Sequence, residues 1–234
     1  MPNTYYVTYG NNVLTAGVAG SAISVTSAAD PYNPLGLPPF TIRCKLSSGV
    51  TPAWGDSQTL VDATDNVWDI TKNSTDWGFL ADGNQTLQKV LGANTSSVTS
   101  MRYMFADCTN LTSVPLFDTS SVTSMNNMFL SCTSLTSVPL FDTSYVTDME
   151  SAFYGCYALT AIPLFDTSSV TSMRNTFRGC TRVEHGALAL YQQASSQATP
   201  PAFHSYCFKS CGSGTTTGAA ELAQIPSSWG GTGA

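Results

Sequence analysis

The sequence predicts an α/β solenoid of 24-residue repeats with a small β-rich region ahead of it. Three observations predict it. One residue string recurs in phase along the middle of the chain; each copy joins a helix-like apolar stripe to an extended-looking segment; and neither piece can bury its apolar side without a neighbour.

Residues 1 to about 70 stand outside the repeat. Tyr5 to Tyr9 and Phe40 to Leu46 read as strands from their β-branched, aromatic and alternating residues. Pro31, Pro34, Pro38 and Pro39 mark a rigid connector between them. The stretch from Trp68 to Trp77 is expected to cap the solenoid. The first 30 residues, rich in Ala, Gly, Ser and Val, are expected to serve as an attachment segment, a docking arm or part of a small β-domain. Residues 1–70 therefore form one unit, an attachment and cap region.

The repeat occupies residues 71–186. Val98, Val122, Val146 and Val170 keep step with Met101, Met125, Met149 and Met173, with Phe105, Phe129, Phe153 and Phe177, and with Cys108, Cys132, Cys156 and Cys180. Leu87 and Val90 fit the end of a degraded earlier copy. Within a copy, Val122, Met125, Phe129 and Cys132 are spaced three, four and three apart, which is one stripe of an α-helix. Asp118-Thr119-Ser120 precedes that stripe and offers oxygens to a first helical turn. Leu135 to Phe141 reads as a short extended segment that ends near Pro139, which has no N–H to give. Strands 4.8 Å apart and helices 8–10 Å apart would curve the stack into an arc.

Residues 187–234 read as a closing repeat with an insertion. Gly186 to Ala194 predicts an extra helix. Phe208 and Cys211 restore the Phe-x-x-Cys step, and Leu222, Ile225 and Pro226 restore Leu-x-x-Val-Pro. Trp229 to Ala234, with three glycines, is expected to be loose.

The string Phe141-Asp142-Thr143-Ser144, then Val146, Met149, Phe153, Cys156, Leu159, Ile162 and Pro163, resembles the BspA-like leucine-rich repeats of bacterial surface proteins, which also occur in proteins of gut bacteria and their phages. The resemblance covers roughly residues 85–183. It implies a leucine-rich-repeat-like solenoid and a role in adhesion to proteins, cells or other bacteria, and it brings no catalytic residues.

Composition narrows the function further. Only 10% of the 234 residues are charged, against roughly 25% in an ordinary soluble domain. Ser, Thr, Gly and Asn take their place, as on extracellular and virion surfaces. The net charge is −6 and no basic run occurs. That argues against nucleic acid, which needs Lys and Arg on its phosphates. No apolar run approaches the roughly 20 residues that span a bilayer, so membrane insertion is not expected. Met1 to Tyr6 does not read as a secretory signal; either the sequence is trimmed at its start, or the protein reaches its destination without the general secretion route, as phage virion proteins do, and an extracellular, cell-surface or virion-surface location is expected.

Candidate sites follow from residue types. The four in-phase cysteines share the Phe and Met stripe and read as buried thiols. Seven cysteines is an odd number, which argues against a fully paired framework. His204, Cys207 and Cys211, with His185 upstream, are the one set with zinc-ligand residue types, at a spacing that is not a standard one; a Cys207–Cys211 disulfide is the other reading. Asp118, Asp142 and Asp166 recur once per repeat and read as caps, with a Ca²⁺ column as the alternative. Phe117, Phe141 and Phe165 form a ladder in the core or at its rim. With two histidines, no Gly-x-Ser-x-Gly and no phosphate loop, nothing points to an enzyme, and no metal or cofactor is expected.

The positions that vary between copies remain. Tyr103, Tyr154, Tyr157, Arg174, Arg178 and Arg182 are the expected ligand-binding residues, with Tyr145 beside them, because Tyr and Arg dominate binding hot spots. The expected function is a non-enzymatic binding or adhesion module for a protein or glycan receptor. The alternative is a structural virion subunit, docked to a particle or to further copies of itself through residues 1–70.

Overall fold

A computed structural model describes residues 32–233, and residues 5–9 and 12–16 as backbone. The attachment role expected of the first 30 residues falls almost wholly outside the described residues. What is described there is one hairpin, β1 (Tyr5–Tyr9) paired antiparallel with β2 (Asn12–Ala16).

The α/β leucine-rich-repeat-like solenoid is not formed. Among the described residues, regular sheet beyond that hairpin is confined to four antiparallel strands: β3 (Thr41–Leu46), β4 (Ser57–Asp62), β5 (Val67–Thr71) and β6 (Leu87–Ala93), in the order β4-β5-β3-β6. Two short helices occur among the described residues, α1 (Ala187–Ser195) and α2 (Thr216–Leu222), both after the repeats, with a 3-10 turn at Ser227–Trp229. The repeats themselves are turns and irregular chain.

The sheet follows its side-chain alternation. Ile42, Cys44 and Leu46 point into the core while Arg43 and Lys45 face outward. Arg43 lies opposite Asp69 in the ladder and donates to both carboxylate oxygens at 2.7 Å. β6 carries the sheet into the repeats, since Val90 N–H donates to Ser113 O and Thr112 N–H to Gln88 O.

The reason no helix forms is visible in the backbone. Tyr103, Asp107, Asn127, Ser131, Ser151 and Asn175 have φ of 54–56°, and Gly155 and Gly179 have φ of 72° and 80°. Two left-handed residues four apart therefore interrupt every copy. A left-handed residue ends a helical turn, and Gly, then Asn and Asp, tolerate that conformation best. What forms is a run of single turns, with Met128 N–H donating to Met125 O, Leu130 to Asn127 and Cys132 to Phe129. Such turns also place every third or fourth side chain inward, so the three-four-three spacing fits them as well as a helix.

The N–H groups between those turns reach the next copy. Met125, Asn127, Phe129 and Ser131 donate to the carbonyls of Asp148, Glu150, Ala152 and Tyr154 at 2.7–2.9 Å. Thr123, Thr147 and Thr171 donate backward to Thr99, Thr123 and Thr147 at 2.8–2.9 Å. The expected extended segment forms no strand. It closes in a tight turn, with Phe141 N–H donating to Pro139 O and Phe165 N–H to Pro163 O.

Identical residues consequently stack. Phe105, Phe129, Phe153, Phe177 and Phe208 lie 5.2–6.0 Å apart centroid to centroid. Phe117, Phe141 and Phe165 form a second, fully buried ladder at 5.6 and 6.4 Å. Buried threonines at three successive repeat boundaries tie the copies together: Thr95, Thr119 and Thr143 donate to the carbonyls of Asp118, Asp142 and Asp166 at 2.7–2.9 Å.

At the far end α1 forms where an extra helix was expected. Its N-terminus has no side-chain cap of its own; the Glu221 carboxylate of α2 accepts from the N–H groups of Gly186 and Leu188. The tail expected to be loose is packed. Trp229 is buried, stacks face to face on His204 at 4.2 Å and accepts at its carbonyl from Phe208 N–H. Glycine permits this approach, for a β-carbon at Gly231 would lie 1.8 Å from the Ile225 carbonyl oxygen.

Thr143→Val keeps the shape of a buried side chain and strands the Asp166 carbonyl. It should lower stability by roughly 1–3 kcal/mol in urea unfolding. The same change at the exposed Thr136 should cost a small fraction of that, which checks that the loss comes from burial.

Candidate functional site

The turn runs fix which side chains can meet a partner. Inward positions are taken by Val, Met, Phe and Cys. The first left-handed residue of each copy, and from Leu130 onward the residue three places after it, are exposed or half-buried and differ from copy to copy, whereas Ala106 in the first copy is buried. One column holds Ala106, Leu130, Tyr154, Arg178 and Lys209, and the neighbouring left-handed column holds Phe79, Tyr103, Asn127, Ser151, Asn175 and Tyr206.

Toward the C-terminal end these columns build one continuous cluster. The Arg178 guanidinium carbon lies 5.5 Å from the Tyr154 ring centroid and 5.5 Å from that of Tyr206. Arg178 Nη1 also donates to Asn175 Oδ1 at 3.3 Å. Lys209 Nζ lies 4.9 Å from the Tyr206 centroid. The row thus alternates aromatic ring and cation over four side chains, each contact being a favourable cation–π pair. It ends at a hollow of about 310 Å³ lined by Tyr206, Lys209, Ser210, Ser227 and Gly230.

Of the six expected residues, Tyr154 and Arg178 are brought together in this row. Tyr157 is 51% exposed and sits beside Gly179, where a β-carbon would come within 3.6 Å of its ring. Arg182 is exposed and forms no ion pair among the described residues. Tyr103 lies at the opposite end and stacks on the exposed Phe79 at 4.7 Å, with their planes 8° apart. Arg174 lines a separate hollow with Asp148 and Glu150. Tyr206, Lys209 and Phe79 were not singled out from sequence. The restored Phe208-x-x-Cys211 step carried the signal for the first two, since it places Tyr206 and Lys209 in register with Asn175 and Arg178.

The chemistry-bearing alternatives resolve into structure. Cys108, Cys132, Cys156 and Cys180 form a buried column whose thiols donate to the carbonyls of Ala81, Phe105, Phe129 and Phe153 at 3.0–3.1 Å. All seven cysteines are free and buried. Burial pushes the thiols of Cys44, Cys108 and Cys180 up to about 12, and those of Cys132, Cys156 and Cys211 well above the ordinary range. His204 packs on Trp229, and among the described residues no three His, Cys, Asp or Glu side chains come together as a metal set. The aspartate ladder closes turns: Asp142 Oδ1 accepts from Ser144 N–H and Oγ–H at 3.0 and 2.7 Å, which holds its carboxyl below the usual range. Asp118 and Asp166 accept in the same way from Ser120 and Ser168. Among the described residues no helix is long and apolar enough to cross a membrane.

A family model described as "Mycoplasma protein of unknown function, DUF285" matches residues 73–191, just over half of the chain. The chain belongs to the DUF285 family. The match begins at the turn that bears Trp77, spans every regular copy of the repeat and ends inside α1. A repeat-containing family of this kind is compatible with the BspA-like resemblance without singling it out. No curated protein and no solved structure matches the chain.

The thiols give a direct check. Folded pKa values lie above the unfolded value near 9, so the stability they lend is complete below about pH 9 and falls as pH rises from there toward 12. The native protein should leave a thiol reagent unreacted near neutral pH, with all seven cysteines titrating once guanidinium unfolds it. Urea midpoints should drop between pH 8 and pH 10. Rapid native-state labelling would contradict the buried column.

Proposed function

We propose that the chain is a non-enzymatic binding or adhesion module that recognises a protein or glycan at a cell or virion surface. The observation that carries the reading is the row Tyr154, Arg178, Tyr206 and Lys209, running into the hollow beside Tyr206. Rings and guanidinium held against one another lose little conformational freedom on binding, and Tyr and Arg are the residues that dominate interface energetics. The exposed Tyr157 and Arg182 extend the same set of varying positions. Membership of a repeat-containing family and a surface of hydroxyls and amides agree with a surface location.

Fluorescently labelled protein incubated with intact gut bacteria and epithelial cells should bind some of them saturably. A variant carrying Arg178→Ala and Tyr206→Ala, shown by circular dichroism to be folded, should lose at least tenfold in apparent affinity. Equal binding by the variant would move the recognition face elsewhere. Absence of binding across the panel, together with particle association that needs residues 1–70, would replace this reading with a structural virion role.

A further inference from the structure

The second hollow, of about 400 Å³, lies where the regular copies give way to the closing one. It is lined by Asp148, Glu150, Thr171, Ser172, Arg174 and Phe203, and its size falls in the range of small-molecule sites. Ser172 is 8% exposed, and its Oγ has no hydrogen-bond partner. The same column supplies the comparison. Asp76 accepts from Gly78 N–H, Ser124 Oγ from Asn126 N–H, and Asp148 from Glu150 N–H, while Ser100 bonds to Asp76. Only at Ser172 is the polar atom left over. A buried hydroxyl without a partner costs roughly 1–3 kcal/mol, so an unsatisfied one at the wall of a hollow is a recognition group in waiting.

The change of step explains its position. Ser100, Ser124, Asp148 and Ser172 pair across 24 residues, but Ser172 pairs onward with Phe203 across the inserted α1 segment. The insertion thus puts an aromatic ring, 64% exposed, where earlier copies have a small polar side chain. Glu150 and Arg174 line the same space without forming an ion pair or any other side-chain hydrogen bond among the described residues, so one acceptor and one donor group stand free. Asp148 is held in place by Glu150 N–H on one oxygen and by Asn126 Nδ2 on the other.

We propose that this hollow is a subsite for a neutral saccharide ring, seated on Phe203 and held by Glu150, Asp148, Arg174 and Ser172. A pyranose offers an apolar C–H face to the negative face of an aromatic ring. Its hydroxyls each donate and accept, which matches two carboxylates, a guanidinium and a hydroxyl side by side. Two carboxylates against one guanidinium disfavour uronic and sialic acids. The proposal deepens the binding reading by naming a ligand class. It uses residues outside the Tyr154–Arg178–Tyr206–Lys209 row, so the two can fail separately.

The test is titration of the full chain with methyl glycosides of glucose, galactose, mannose, fucose and N-acetylglucosamine, followed by saturation-transfer difference NMR and calorimetry. At least one should bind saturably, with ring C–H protons receiving the strongest transfer. Phe203→Ala and Glu150→Gln, both at exposed or half-buried positions, should each weaken binding at least tenfold, and Lys89→Ala, at an exposed position away from the hollow, should leave it unchanged. Glucuronic and sialic acid should bind at least tenfold more weakly than the best neutral sugar. No binding by any neutral glycoside, binding unaltered in both variants, or preference for an acidic sugar or a basic peptide would overturn the proposal. Cell binding that persists beside a negative titration would sink the saccharide site and leave the adhesion reading standing; sugar binding without cell binding would do the reverse.

Discussion

Everything in the repeat region depends on where alternate N–H groups go. In a helix, Met125, Asn127, Phe129 and Ser131 would donate within their own segment. Here they donate to the next copy, and the left-handed residues at 127 and 131 turn the chain so that they can. These alternate N–H groups are satisfied only by the neighbouring copy, as buried backbone must be by something. The same constraint forces identical side chains into columns, which is why five phenylalanines stack ring on ring, and why the in-phase cysteines and threonines make the same bond to a carbonyl in copy after copy.

The columns divide labour. The inward place shared by Met104, Met128, Ala152 and Thr176 varies, whereas the ring and thiol positions keep one residue, because each ring or thiol packs against copies of itself. A thiol fits this place for a specific reason: it is small and apolar, yet its S–H reaches a carbonyl of the preceding copy, which alanine would not. Outward positions carry no such demand. Rings and cations at Tyr154, Arg178, Tyr206 and Lys209 therefore contact one another without any cost to the frame.

Both hollows arise at the break in the pattern. The α1 insertion lengthens the step between Ser172 and its partner, and the Trp229 tail, laid against Phe208, replaces what would be the next copy. A regular stack leaves no gaps between copies. An interrupted one does, and the side chains around the interruption, Ser172 and Phe203 on one side and Tyr206 and Ser227 on the other, are those left without their usual neighbours.

The sequence by itself determined the 24-residue phase, the identity of the buried columns, strand β3, helix α1 and the continuation of the register through Phe208 and Cys211, because all of these rest on which residues are apolar and how far apart they recur. It also marked Tyr154 and Arg178 as outward and variable. Tertiary structure decided the rest. A three-four-three spacing is shared by a helix and a run of single turns, and only hydrogen bonds to the neighbouring copy choose between them, which is how the expected α/β solenoid gave way to stacked turns. The glycine-rich tail read as loose for a similar reason: its order comes from backbone packed against Ile225 and from Trp229 against His204, contacts between segments that no local pattern reports. The pairing of Arg178 with Tyr206 and the stranded hydroxyl of Ser172 belong to the same class, since both follow from where the insertion sets the last copy down.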